Sequence, residues 1–296
     1  MFENRWFLIF CLVAVLSGAC QQKKPVTSEP AQVDYSIFQM NNLVAWCVVP
    51  FDSMKRGPAE RAAMLDELGF KKFAYDWREH HLPSFPEEVE ALRQHGIELT
   101  SVWWWIDGQG DQLLSPDNQR LLQYLDSLDI SCDIWMSFDE RFFNGLDDME
   151  KLELAVRAVT ELHDKVSAQG SRLMLYNHGA WFGDPLNQLE IIKKSGIQDI
   201  GIIYNFHHAH DQIEAFPALL KAMLPYLNTV NINGMNEEGP KILTVGQGRW
   251  EKTMLEELAS SGFQGHIGII GHLEQEDVRE VLQRNIQGLE HIASEL

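Results

Sequence analysis

The sequence predicts an α/β fold, a (β/α)8 TIM barrel, on three observations. Eight short β runs alternate with eight amphipathic helical patterns between residues 39 and 296, the count such a barrel requires. One phrase recurs five times: a helical pattern, a Gly, then a β run. No Gly-x-Gly-x-x-Gly follows the first β run or any later one, which disfavours a doubly wound open sheet.

In chain order, Leu43–Val49 opens the domain and a helix over 58–68 follows. Leu68-Gly69 then leads into a β run ending at Asp76, and a helix over 86–95 follows. His95-Gly96 leads into a run ending at Trp103, before a helix over 116–128. Ser131–Phe138 is a run without its Gly and precedes a helix over 147–169. Gln169-Gly170 opens the run ending at Tyr176, and Ser195-Gly196, after a helix over 185–195, opens the run ending at Tyr204. A helix over 215–227, the run Thr229–Asn233 and a helix over 250–261 come next. Ser261-Gly262 opens the last run, to Ile270, and a helix over 275–292 closes the chain. Gly just past a helix supplies the left-handed residue that turns the chain toward the next strand.

Ahead of this body, residues 1–19 read as a lipoprotein signal peptide. Arg5 precedes the apolar run Trp6–Leu16, and Ser17-Gly18-Ala19 leads to Cys20, a pattern that resembles a bacterial lipobox. The run is too short for a membrane span, which needs about 20 residues. Cys20 is the expected lipidation site, the alternative being an ordinary cleaved signal with a chance Cys. Residues 20–38, polar with Pro25 and Pro30, are expected to form a flexible tether. The expected location is the cell envelope, lipid-anchored and facing the periplasm or the cell surface. Cys47 and Cys132 lie in β-like runs and are expected to be buried free thiols.

Composition narrows the function. Of 296 residues, 45% are hydrophobic, and 24 Lys and Arg oppose 43 Asp and Glu, a net charge of −19. A disordered chain is excluded. Such a field repels phosphate backbones, so no nucleic-acid partner is expected. A highly anionic substrate is disfavoured unless a local basic pocket overrides the mean.

Chemistry in a (β/α)8 barrel sits at the C-terminal strand ends. Those ends carry His178, His207, His208, His210 and His272, and imidazoles there can act as acid or base, ligate a metal or bind hydroxyls. The structural alternative weighs most on His207 and His210. Asn177, Asn205, Asn231 and Asn233 offer neutral donors and acceptors that suit a polyol; left unpartnered, each buried amide would cost about 1–3 kcal/mol. Trp77, Trp103, Trp104, Trp105, Trp181 and Phe182 can pack on sugar C–H faces, although at least one of the Trp103–Trp105 run should lie between barrel and helices. Lys241, on a Gly-bounded loop, can anchor or donate a proton, or be a plain surface lysine. Asp76 with Arg78, and Asp139 with Glu140, are acid–base pairs or rim ion pairs.

These segments resemble the xylose-isomerase-like TIM barrels, which include sugar-phosphate isomerases and ketose 3-epimerases. The likeness is clearest in Leu175-Tyr-Asn-His-Gly179, Ile203-Tyr-Asn-Phe-His-His-Ala209, Val230-Asn-Ile-Asn233 and Val245-Gly-Gln-Gly248. The resemblance implies a sugar-binding barrel with one divalent ion held by Glu, Asp, His and Glu, two of whose carboxylates move a proton. At those four positions this sequence has Tyr176, Asn205, Asn231 and Gly271. The family ligands are therefore replaced, and no hard cation is expected there. His178, His208 and His272 remain as a ligand set for a softer ion such as zinc or cobalt, or as bases in their own right.

The expectation is proton abstraction beside a sugar carbonyl (isomerase, epimerase or keto-glycoside lyase) on a neutral sugar or oxidised glycoside. His178 or His208 would be the base and His272 or Lys241 would polarise the carbonyl. Asp76, Arg78, Trp103, Trp105, Asn177, Asn205, Asn231, Asn233 and Trp181 would bind the substrate. One alternative is a sugar-binding lipoprotein without catalysis. Another is a glycosidase, which needs paired carboxylates about 5–9.5 Å apart.

Overall fold

The computed structural model describes Val33 and residues 35–108 and 112–296. The expected signal peptide, Cys20 and nearly all of the tether lie outside the described residues.

Eight parallel strands close into a barrel in simple sequential order. They are β1 Leu43–Trp46, β2 Lys72–Tyr75, β3 Glu98–Ile106, β4 Asp133–Phe138, β5 Arg172–Tyr176, β6 Gly201–Asn205, β7 Leu227–Ile232 and β8 His266–Ile270. β1 closes the ring on β8 through Leu43 to Trp46 against Ile267 to Ile270. The helices between them are α1 Pro58–Glu67, α2 Phe85–Gln94, α3 Pro116–Ser127, α4 Asp148–Ser167, α5 Ala180–Gly183, α6 Pro185–Ser195, α7 Phe216–Met223, α8 Glu251–Ser260 and α9 Val278–Ser294. The predicted fold class and all eight predicted helices are present; α5, a single turn after β5, is additional.

Local chemistry sets the boundaries. Pro58, Pro116 and Pro185 open α1, α3 and α6, where proline lacks only an N–H that has no helical partner. Asp147 and Glu150 form a reciprocal cap at the start of α4, satisfying donors that the first turn leaves free. The glycines of the repeated phrase, at 69, 96, 170, 196 and 262, all have positive φ.

Alternation along each strand divides the apolar residues between two cores. Val102, Trp104, Ile134, Leu173, Leu175, Ile202 and Val230 face the helices, in the large outer core. Trp46, Trp135, Met174, Tyr176 and Ile203, with Trp103 against them, fill the barrel interior. The body also begins earlier than expected: Tyr35–Phe38 form a 3-10 turn whose Ile37 and Phe38 are buried in the outer core. The tether boundary at 38 is therefore corrected to precede Tyr35, because those two side chains cover apolar surface.

Candidate functional site

Inward-facing positions at the C-terminal strand ends line a cavity of about 550 Å³. Its floor is aromatic. Trp46 packs edge-on to Trp135 (ring centroids 4.9 Å apart), and Trp103 packs edge-on to Tyr176 at 4.8 Å. β3 runs past its expected end at Trp103 to Ile106, so Trp105 also lies within the strand, and Trp103 and Trp105 both line the cavity. Trp104 between them faces the outer core, as period-two alternation demands.

The wall is a chain of rings. Trp105 meets His178 edge-on at 4.9 Å, His178 meets His208 at 4.4 Å, and His208 meets His207 at 4.4 Å. His207 is 5.3 Å from His272, which lies 3.7 Å from Phe51. The Arg78 guanidinium sits over the Phe51 ring at 5.5 Å and closes the rim. Burial lowers the pKa of His178 and of His272 to about 4 and that of His207 to about 3, and it drives His208 down further; Lys241 adds to each effect. All four imidazoles are neutral near pH 7 and present N–H donors and lone pairs rather than charge.

Four carboxylates, Asp76, Glu79, Asp107 and Asp117, line the same cavity, and of these only Asp76 is buried. Asp76, just past β2, is 2% exposed and lines the cavity. Cys47 takes a left-handed conformation (φ 56°) and Val48 a right-handed one (φ −105°, ψ −52°). Such a pair of conformations makes a nest of backbone N–H groups that favours an anion. The N–H groups of Val48 and Val49 each donate to Asp76 Oδ1 at 3.2 Å, whereas Oδ2 has no partner. Burial raises the Asp76 pKa to about 6; the backbone donors and Arg78 restrain the rise. A non-glycine residue at positive φ costs about 1–3 kcal/mol, and such strain clusters at functional sites.

The structure redistributes the expected site residues. His178, His208, His272, Asp76, Arg78, Trp103, Trp105 and Asn205 line the central cavity. Asn177 instead ties β5 to β6: its Oδ1 accepts the Asn205 N–H at 2.7 Å and its Nδ2 donates to the Asn205 carbonyl at 3.1 Å. Asn233 donates to the Gly234 carbonyl at 2.8 Å and holds the loop after β7. Asn231 is fully buried beneath the floor, against Gly268, with both amide atoms unpartnered. The expectation that four amides meet the ligand is thus corrected to one, because two serve the backbone and one points below the cavity. Lys241 lines a neighbouring cavity, and its carbonyl accepts from His207 and His210. That places it outside the central cavity, against its expected role on the carbonyl. Trp181, on α5, lies in a third cavity against Phe143 (5.2 Å). Asp139 pairs with Arg141 at the rim.

Sequence reasoning missed Trp46 and Cys47 as lining residues, read Tyr176 only as a replaced metal ligand, and left His207 open. The parity of each strand would have found Trp46 and Tyr176. Cys47, Phe51 and His207 sit in turns whose directions no period encodes.

A divalent ion does not fit this site. The Tyr176 hydroxyl accepts an N–H from Trp46 at 3.1 Å and another from Asn205 Nδ2, and burial raises the phenol pKa well above its usual value. Tyr176, Asn205 and Asn231 are therefore neutral donors, and Gly271 contributes no side chain. His272 adjoins His207 rather than the His178–His208 pair. Among the described residues no three His, Cys, Asp or Glu side chains converge on a point that could hold an ion.

No family model and no curated protein match the sequence. Solved structures do. The 3-keto-D-glucoside 4-epimerase of E. coli is similar at 15% identity and TM-score 0.65, over 85% of this chain and 99% of that one. A D-psicose 3-epimerase with D-tagatose from Clostridium cellulolyticum H10 is similar at 15% identity and TM-score 0.61, over 86% and 98%. A xylose isomerase domain containing protein of Salmonella typhimurium LT2 is similar at 11% identity and TM-score 0.64, over 87% and 97%. The fold is the TIM barrel of these structures. At such identities the likeness is one of fold, and activity has to be argued from the site.

Proposed function

We propose that this barrel binds a neutral sugar bearing a carbonyl, or an oxidised glycoside, and removes the proton on the adjacent carbon. The observation that carries the proposal is the cavity itself: its lining brings together a buried carboxylate whose Oδ2 has no hydrogen-bond partner, neutral imidazoles and indoles. The tryptophans pack on the C–H face of the ring. Asp76 Oδ2 takes the proton, and the electron pair moves to the carbonyl oxygen. His178 or His208 donates an N–H to that oxygen, as a neutral imidazole can in a dry site. Asp76 then returns the proton to the former carbonyl carbon while the hydroxyl proton of the adjacent carbon passes to the oxyanion, giving isomerisation; or the carbonyl re-forms as the β substituent departs and takes the proton from Asp76, giving elimination.

The base assignment shifts from histidine to Asp76 for a physical reason. A general base works best with a pKa near the working pH, and Asp76 at about 6 lies closer than His178 at about 4. Asp76 and the His178–His208 pair stand on opposite sides of the ring, at β2 and at β5–β6. Epimerisation therefore requires the opposite wall to return the proton.

The Tyr176–Asn205 hydrogen bond, which fills the positions of the family's metal ligands, favours a second reading: a sugar receptor without turnover. Incubation with a panel of ketoses and 3-keto-glycosides, followed by product analysis and thermal shift, separates the two. Turnover supports the enzyme, and a thermal shift without turnover supports the receptor. On the signal pattern we also place the protein at the cell envelope, anchored through lipid on Cys20. Replacing Cys20 by Ser should move it from the membrane to the soluble fraction, and retention in the membrane would contradict the anchor.

A further inference from the structure

The central cavity shares part of its wall with its neighbours. His207 and His208 line it and also line a second cavity of about 750 Å³, which spans the loops after β5, β6 and β7. The second in turn shares Glu140, Gly179 and Ala180 with a third, of about 350 Å³, where Trp181 packs on Phe143. The three adjoin through these shared residues, a track of neighbouring cavities from the barrel axis past the two imidazoles to Trp181 on α5. α5 is set where it is by a close approach: a Cβ at Gly183 would lie 3.0 Å from the His178 carbonyl carbon. The turn carrying Trp181 is thereby packed onto the strand end that carries His178.

We infer that the ligand is an extended, neutral glycoside of at least two sugar units. The reacting sugar occupies the central cavity, and the next unit lies across His207 and His208 in the second. A third unit reaches Trp181. This deepens the proposed function and rests on it. Size and chemistry both support it. Small-molecule sites run to about 300–1,000 Å³, so the central cavity is already a whole site, and the track offers two more lobes. Each end carries a tryptophan face suited to a sugar ring, and the imidazoles between can hydrogen-bond hydroxyls. Charge selects the occupant: Glu140, Asp184, Asp211, Glu237 and Glu238 line the second cavity against the single cation Lys241. That balance disfavours a phosphorylated or uronic unit there.

The test is calorimetric binding of gluco-, xylo- and manno-oligosaccharides of one, two and three units to the full chain. In one series at least, affinity should rise about tenfold or more per added unit. Trp181→Ala should return the trisaccharide to the affinity of the disaccharide. The double variant Glu237→Gln, Glu238→Gln should improve binding of a disaccharide ending in glucuronic acid relative to its neutral counterpart. Monosaccharide binding with no gain from length in any series overturns the extended ligand and leaves the proposed function standing. No binding of any member also overturns the extended ligand, while the proposed function stands or falls with the ketose and 3-keto-glycoside panel.

Discussion

Asp76→Asn separates a proton carrier from a structural carboxylate without needing a substrate. The amide keeps the shape and an oxygen for the Val48 and Val49 N–H groups; it removes the charge and puts an NH2 donor in place of Oδ2. Burial raises the Asp76 pKa from near 3.8 to about 6, roughly two units at about 1.4 kcal/mol each, or about 3 kcal/mol as an upper figure. The sign follows from proton counting. Between about pH 4 and pH 6 the folded chain holds a proton on Asp76 that the unfolded chain has lost, so stability falls as pH rises through that window. Above it the buried charge costs its full amount. Asp76→Asn should match wild type near pH 4 and exceed it by up to about 3 kcal/mol at pH 7.5. Urea unfolding of both proteins at several pH values reads this difference. Functional residues often cost stability in this way. A variant less stable than wild type at pH 7.5, or a difference flat with pH, would refute the reasoning and make Asp76 an anchor for the turn after β1.

Further outcomes follow from the same geometry. His178→Ala and His208→Ala should each lower kcat by about 100-fold or more, the usual loss for one donor to a developing oxyanion; wild-type rates in both would remove the imidazoles from the mechanism. The dependence of kcat/KM on pH should rise through about pH 6, as Asp76 loses its proton, and then level. A profile controlled near pH 4 would return the base to His178. In the barrel, a Cβ at Gly268 would lie 1.8 Å from Asn231 Oδ1. Gly268→Ala should therefore cost about 1–3 kcal/mol by overpacking, and adding Asn231→Ala should restore much of it; urea midpoints of the two variants check both claims.

Much of the fold was legible because each helix–Gly–strand phrase carries its own local chemistry. Gly69, Gly96, Gly170, Gly196 and Gly262 all adopt the positive φ that ends a helix, and every predicted helix is present. The site was legible only in part. Strand-end position found His178, His208, His272 and Asp76, but it did not say which neighbouring polar residue faces the axis. Asn177 and Asn205 stand at neighbouring strand ends but differ in role: one ties β5 to β6, and the other lines the cavity. Parity sorts strand residues such as Trp103, Trp104 and Trp105. It fails once the chain turns, as at the 3-10 turn Phe206–His208, where adjacent imidazoles both reach the cavity. Nor does spacing reveal the left-handed Cys47, which directs two N–H groups at Asp76.

The central claim is that Asp76 takes a proton from the carbon beside a sugar carbonyl. Incubating wild type and Asp76→Asn with 3-keto-glycosides and ketoses in deuterium oxide, and following the adjacent C–H signals by NMR, tests it most directly. Wild type should exchange that hydrogen for deuterium with at least one of these sugars, and the variant should not. Exchange at equal rates in both proteins, or in neither, would contradict the claim.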